Sequence, residues 1–107
     1  MVEVIHYETE TGEDVFAEWI ESLHDQQAAA RIAARTARIA LGLFGECKPV
    51  GDGVWELKID WGPGYRVYYA KKGRSVILLL CGGDKRGQGA DIKRAKRLWQ
   101  DWQWRHR

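Results

Sequence analysis

Residues 55–85 read WELKIDWGPGYRVYYAKKGRSVILLLCGGDK and contain three runs with strand character. In residues 55–60, apolar side chains alternate with charged ones, the period of two that a strand with one buried face shows. Residues 65–70 are rich in aromatic side chains, which favours a second strand. Residues 76–81 are apolar throughout, which is typical of a central strand covered on both faces. Because the two connections are short and contain glycine, the stretch is predicted to fold as an antiparallel meander.

Two basic side chains are predicted to lie together on one face of this meander. If the apolar residues of the first run point into the core, Lys58 points the other way with Glu56 and Asp60. On the next strand, Arg66 and Tyr68 share a face, and hairpin pairing would bring Lys58 beside Arg66. Two interpretations of this pair are open: a solvated sheet face with cross-strand charge pairing, and a cationic patch for phosphate.

Length and composition predict a single domain over residues 1–107. The chain is long enough to bury a modest core without metals or disulfides, and its 45% hydrophobic and 30% charged residues are those of an ordinary globular domain. No apolar run has membrane-spanning length and no signal-peptide pattern is present, so the protein is expected to be cytoplasmic and to have no membrane contact. Cys47 and Cys81 lack metal-ligand spacing and are predicted to be reduced thiols.

The net charge of +2 hides an uneven distribution of charge along the chain. Residues 1–30 contain eight acidic residues and no Lys or Arg, whereas residues 31–107 carry a net charge of +10. The basic part indicates a polyanionic ligand, and the acidic part is expected either to meet a basic partner or only to shield the rest. Arg31, Arg35 and Arg38 form a basic ridge, for which a solvated helix face is favoured over contact with nucleic acid.

The remaining segments predict one more strand and three helices. Residues 2–7 alternate partly and favour a strand, after which Thr9 or Thr11 is expected to cap a first helix. Asp25 is predicted to cap a second, alanine-rich helix over residues 26–43.

Glycines and a proline over residues 42–53 predict a loop, and a last helix is predicted to open at Asp91. The predicted order is strand–helix–helix–strand–strand–strand–helix.

Three blocks in the second half of the chain resemble a known protein family. They are residues 51–58 (GDGVWELK), 62–69 (GPGYRVYY) and 79–85 (LLCGGDK). These blocks are similar to the phage-derived addiction-module killer proteins of the RelE/ParE toxin superfamily, close to the HigB-like toxins. The resemblance implies an α+β fold with a small twisted antiparallel sheet in the order β-α-α-β-β-β-α, with helices packed on one face and the other face open.

The resemblance also implies a function, the toxin of a type II toxin–antitoxin system. Members of the RelE-like branch are mRNA endoribonucleases that act on ribosome-bound message and need no metal or other cofactor. The implied partner is a helix-turn-helix antitoxin, and DNA would be reached only through the antitoxin complex. The alternatives are a ParE-like inhibitor that binds DNA gyrase and a non-catalytic relative that only binds its antitoxin.

By resemblance, three basic residues are assigned catalytic roles. Arg66 matches the arginine that these toxins carry on the same strand and is expected to stabilise the transition-state phosphate. Lys58 matches a basic position on the preceding strand and is expected to stabilise charge or transfer a proton. Lys85 is expected to act as an acid or a phosphate ligand, with pairing to Asp84 at a helix entry as the alternative. Further contacts to RNA are expected from Tyr68, Lys71, Arg74 and Arg86.

Overall fold

A five-stranded mixed sheet with three helices forms the protein in the computed structural model, which describes residues 2–107. The elements in chain order are β1 (Glu3–His6), α1 (Val15–Ser22), α2 (Gln26–Ile39), β2 (Cys47–Gly51), β3 (Val54–Ile59), β4 (Tyr65–Lys72), β5 (Val76–Asp84), a short 3-10 helix (Lys85–Gly87) and α3 (Gln88–Arg105). Within the sheet, the strands lie in the order β1-β5-β4-β3-β2.

The predicted meander of β3, β4 and β5 is confirmed and forms the centre of the sheet. Lys58 lies directly opposite Arg66, so the expected pairing of these two positions is confirmed as well. A register shift between Tyr68 and Tyr69 marks a bulge where β4 pairs with β5. The α+β class predicted from the sequence is therefore the observed one.

Two strands outside the meander change the predicted topology. β1 pairs with β5 in parallel, so the sheet is mixed, while β2, β3, β4 and β5 have the expected antiparallel pairing. β2 occupies part of the predicted loop over residues 42–53 and pairs with β3 in antiparallel orientation. The prediction of an uninterrupted loop was wrong because Pro49 is tolerated in an edge strand, whose outer side has no partner.

Helices cover both faces of the sheet. α1 and α2 pack on the face that carries Tyr65 and Tyr69 of β4. α3 packs on the opposite face, which carries Tyr68 and Ala70. The face that was expected to be open is therefore covered in part. β4 and β5 carry large apolar side chains on both faces, and burial of each set away from water stabilises the fold. On the α3 side, a cavity lined by residues of β2, β3 and the start of β4 stays open.

Aspartates cap the first two helices. The carboxylate of Asp14 accepts a hydrogen bond from the N–H of Ala17 at 2.9 Å and caps α1, in place of Thr9 or Thr11. Thr9 instead bonds within the turn that precedes the helix. Asp25 caps α2 as predicted, with two backbone N–H groups as donors. These caps fix the start of both helices that cover the first face.

None of the helices in the described part of the chain is long and apolar enough to cross a membrane. Both cysteines are free thiols, as predicted. Burial raises the pKa of the Cys81 thiol to about 12, so this group stays protonated within the core.

A methyl group at Gly82 is expected to destabilise the protein. Gly82 lies in β5 against the indole of Trp19, and a Cβ at this position would overlap the ring. Gly82→Ala should lower the free energy of unfolding by about 1–3 kcal/mol through overpacking, measured by urea denaturation.

Gly89→Ala is the matched control for this substitution. No atom lies within 4 Å of a Cβ at Gly89, and the residue is part of α3. Since alanine stabilises a helix relative to glycine by roughly 0.5–1 kcal/mol, Gly89→Ala should be neutral or stabilising. Similar losses of stability in the two variants would contradict the packing of Trp19 on Gly82.

Candidate functional site

A cavity of about 210 Å³ opens on the part of the sheet that α3 leaves uncovered. The residues that line it are Glu46, Cys47, Lys48, Glu56, Lys58 and Arg66. Three of these six residues are basic and two are acidic, and all lie on β3, the start of β4 or the edge strand β2 and the residue before it. The cavity therefore brings together two of the three catalytic residues predicted from the sequence, Lys58 and Arg66.

Arg66 is almost fully buried, with 7% of its surface exposed. Its Nη1 donates a hydrogen bond to the carbonyl oxygen of Tyr65 at 3.3 Å, and its Nε lies 3.6 Å from Oε1 of Glu56. Within residues 2–107, Nε has no hydrogen-bond partner. A buried donor without a partner costs about 1–3 kcal/mol, so an anionic oxygen that reaches this nitrogen is bound more strongly than one at the surface.

Glu56 lines the cavity as well, and its burial could not be predicted from the sequence. Only 2% of its surface is exposed. The hydroxyl of Tyr68 donates to its Oε2 at 3.1 Å, and Nε2 of Gln88 donates to the same oxygen at 2.8 Å. Lys48 lies 3.9 Å from Oε1 on the other side. The alternation in β3 places Glu56 on the face of Lys58, but only the arrival of α3 over this face buries it.

The carboxylate of Glu56 also acts on Tyr68. Burial first, and then the negative charge of Glu56, raise the pKa of the Tyr68 phenol far above its ordinary value. The phenol is therefore a permanent donor to Glu56 at physiological pH. This network holds the carboxylate in place beside Arg66 and restricts the guanidinium to one orientation.

Lys58 is half-buried and belongs to the same cavity as Arg66. Its backbone is fixed from the opposite side of the sheet, because Nη1 of Arg35 donates to its carbonyl oxygen at 3.0 Å. The Lys58 ammonium group forms none of the salt bridges found in residues 2–107. Lys58 is thus available as a second cation next to Arg66.

Lys85 lies outside the cavity and is exposed. Its N–H donates to the carbonyl oxygen of Gly64 at 2.8 Å. Gly64 is close to both side chains, since a Cβ there would lie 3.3 Å from Nη1 of Arg66 and 3.7 Å from Cβ of Lys85. The alternative of a Lys85–Asp84 pair does not occur, because Asp84 pairs with Arg86 at 2.8 Å. Lys85 therefore borders the region of Arg66 without entering its cavity.

The four residues expected to contact RNA do not form one surface with Arg66. Tyr68 has no exposed surface, so its expected contact with RNA is corrected to an internal one with Glu56. Lys71 lies over the ring of Trp55 at 4.3 Å, on the α2 side of the sheet, because odd and even positions of β4 face opposite sides. Arg74 is in the turn at the far end of β4.

Arg86 is the one member of that group at the same end of the sheet as Arg66. It is exposed and lies in the 3-10 helix next to Lys85. The guanidinium pairs with Asp84, and the pKa of that partly buried carboxyl is lowered as a result. Arg86 and Lys85 thus form the exposed basic border of the site.

Asp91 is a second carboxyl group that sequence analysis treated only as a helix start. It lies against Gly83, which is paired with Arg66 in the sheet. A side chain at Gly83 would overlap the carboxylate of Asp91, so glycine is required there for this approach. Partial burial raises the pKa of Asp91. Asp91 thus lies one strand away from Arg66 and is not among the residues that line its cavity.

The arrangement as a whole fits an anionic ligand held by a buried guanidinium and a neighbouring ammonium group. Among the described residues, no three His, Cys, Asp or Glu side chains are grouped in a way that would hold a metal ion. The chemistry that the site itself offers is charge stabilisation by Arg66 and Lys58.

Removal of the Tyr68 hydroxyl is expected to destabilise the protein. Tyr68→Phe leaves the buried carboxylate of Glu56 without one of its two donors at Oε2, and hydrogen bonds to charged groups contribute about 1.5–3 kcal/mol. Urea denaturation should show a loss of this size.

Tyr69→Phe provides the control on the neighbouring residue. The hydroxyl of Tyr69 is buried too, but it has no hydrogen-bond partner among residues 2–107. Its removal should therefore be neutral or slightly stabilising. A larger loss of stability for Tyr69→Phe than for Tyr68→Phe would exclude the network described around Glu56.

Comparison with known proteins identifies the family. The family described as phage-derived protein Gp49-like (DUF891) matches residues 18–100, which include β3, β4, β5 and most of α3. An uncharacterized protein of Haemophilus influenzae (strain Rd) is 48% identical over 86 residues, which cover 80% of this chain and 87% of the relative. The match extends over the meander and the candidate site, and the chain belongs to the Gp49-like family of phage-derived proteins.

Proposed function

We propose that this protein is the toxin of a type II toxin–antitoxin system and acts as a metal-independent, ribosome-dependent mRNA endoribonuclease. The observation that carries the proposal is the buried Arg66 guanidinium, whose Nε has no hydrogen-bond partner among residues 2–107 and which shares a cavity with Lys58. Membership of a phage-derived family is consistent with a toxin. The resemblance of residues 62–66 and 79–85 to the RelE-like toxins supports the endoribonuclease activity.

The proposed reaction is an internal transesterification of RNA. The 2′-oxygen attacks the adjacent phosphorus while its proton passes to a base, and the bond from phosphorus to the 5′-oxygen breaks as that oxygen takes up a proton. The products are a 2′,3′-cyclic phosphate and a free 5′-hydroxyl. Arg66 stabilises the charge that develops on the non-bridging oxygens, with Lys58 beside it as the second cation.

Glu56 acts as a positioning residue in this scheme. It is buried, and its Oε2 already accepts two hydrogen bonds, so it orients Arg66 and does not exchange protons with RNA. Lys58, which lines the cavity beside Arg66, is the group positioned for proton transfer. Lys85 and Arg86 bind phosphates that flank the cleaved one.

The proposed partners are a helix-turn-helix antitoxin and the mRNA on a translating ribosome, which places the action of the protein in the cytoplasm. A ParE-like inhibitor would require neither the buried donor of Arg66 nor a cation beside it. These two features favour an RNA-cleaving toxin over an inhibitor that acts only by binding.

Arg66→Ala should abolish cleavage, and urea denaturation of the same variant separates this effect from the loss of stability that removal of the partner of Glu56 causes. Loss of one transition-state donor of this kind lowers the rate roughly 100- to 1000-fold. Primer extension across abundant transcripts after brief induction should show discrete cuts for the unchanged protein and none for the variant. Lys71→Ala is the control, because Lys71 lies on the same strand but on the opposite face. Intact transcripts beside arrested growth in the unchanged protein would contradict the proposal and make DNA gyrase the next target to test.

Lys58 and Lys85 should differ in their effect on the rate. Lys58→Ala removes the cation next to Arg66 and should slow cleavage on the order of 100-fold. Lys85→Ala removes an exposed border charge and should slow it no more than about fivefold, since exposed ion pairs contribute up to 1 kcal/mol. Single-turnover cleavage of a ribosome-bound message measures both. A larger effect for Lys85→Ala would move the reacting phosphate out of the cavity.

A further inference from the structure

A second concave surface lies between α1 and α2, on the face of the sheet opposite Arg66. It has a volume of about 350 Å³ and is mainly apolar. Ala17 and Ile20 line it from α1, Ala33 and Thr36 line it from α2, and His6 of β1 contributes to its lining. We refer to this surface as the helix cleft. The proposed cleavage reaction makes no use of it.

The α2 wall of the helix cleft allows close approach of another helix. Ala30, Ala33 and Ala37 are exposed and fall at i, i+3 and i+7, so they share one side of α2. Helices pack with their axes about 8–10 Å apart, and small side chains permit the lower end of this range. α2 spans Gln26–Ile39, which gives a partner helix several turns along which to lie.

The α1 wall of the helix cleft is acidic. Glu21 lines the cleft, and Glu18 lies one turn before it on the same side of α1. Neither carboxylate takes part in the salt bridges found in residues 2–107. The surrounding residues 1–30 contain no Lys or Arg that could pair with them. The charge on this wall therefore repels phosphate and attracts a basic partner.

We propose that the helix cleft binds a basic amphipathic helix of a partner protein. The small and apolar side of that helix packs against Ala33 and Ile20, and its Lys or Arg residues lie beside Glu18 and Glu21. An antitoxin of the proposed system is one protein that would supply such a helix. The inference rests on the cleft itself, and it stands if the protein does not cleave RNA.

Two synthetic peptides that differ only in charge test the charge of the partner helix. Both have about 18 residues, long enough to populate a helix in water, and share a face of Leu and Ala. One carries Lys on its polar face and the other carries Glu. In an NMR titration of the ¹⁵N-labelled full chain, the Lys peptide should shift the amides of α1 and α2 and leave those of β3 and the start of β4 unchanged. The Glu peptide should leave the amides of α1 and α2 unchanged.

Variants of exposed alanines in α2 show whether the peptide occupies the cleft. Ala33→Arg places a long, charged side chain in the cleft and should abolish binding of the Lys peptide in calorimetry. Ala34→Arg is the matched control, since Ala34 is exposed as well but faces the groove of Arg31 and Trp61. The double variant Glu18→Lys and Glu21→Lys should weaken binding on the order of tenfold.

Three results would overturn the inference. They are equal affinity of the helix cleft for the Lys and Glu peptides, amide shifts caused by the Lys peptide that are centred away from α1 and α2, and an unchanged affinity of Ala33→Arg for the Lys peptide. Failure of the Lys peptide to bind the unchanged protein would overturn it too. None of these measurements depends on RNA cleavage, so they separate a failure of this inference from a failure of the proposed activity.

Discussion

The burial of one carboxylate, that of Glu56, sets the arrangement on which the rest of the molecule depends. A carboxylate that leaves water must find donors, and here Tyr68 of β4 and Gln88 at the start of α3 provide them. This requirement ties three elements together at one point. α3 begins at Gln88, ahead of the predicted start at Asp91. Arg66 lies next to Glu56, at the border between the covered and the open part of this face. Glu56 thus lies at the limit of the buried core on this face, and the basic side chains of the cavity lie beside it.

The sheet separates the cavity around Arg66 from the helix cleft, whose α1 wall is acidic. Odd positions of β4 face α1 and α2, and even positions face α3 and the cavity, so neighbouring residues such as Tyr65 and Arg66 serve different sides. Arg35 connects the two sides, because its guanidinium reaches from α2 to the carbonyl oxygens of Lys58 and Phe44. A helix docked on one side and an RNA bound on the other would therefore share a rigid strand between them.

Much of the fold could be predicted from local patterns, and the failures have identifiable causes. Alternation in residues 55–60 gave the correct faces of β3, and the short connection gave the register that pairs Lys58 with Arg66. Alternation does not reveal what covers a face, so α3 on the second face and the burial of Glu56 were missed. The apolar run in β5 contained that information, since a strand apolar on both sides needs cover on both. Lys71 was grouped with Arg66 because of its charge, although its odd position already placed it on the other face.

The edge strand β2 has a consequence for the behaviour of the protein at high concentration. A free sheet edge is a template on which another chain can add a strand, and this is a common route to aggregation. β2 is short, carries the charged Lys48, contains Pro49 with no N–H to donate, and is interrupted by a register shift before Gly51. Each of these features hinders the growth of the sheet from that side. The features that predict a loop for this segment therefore also hinder the addition of a strand from a second molecule at this edge.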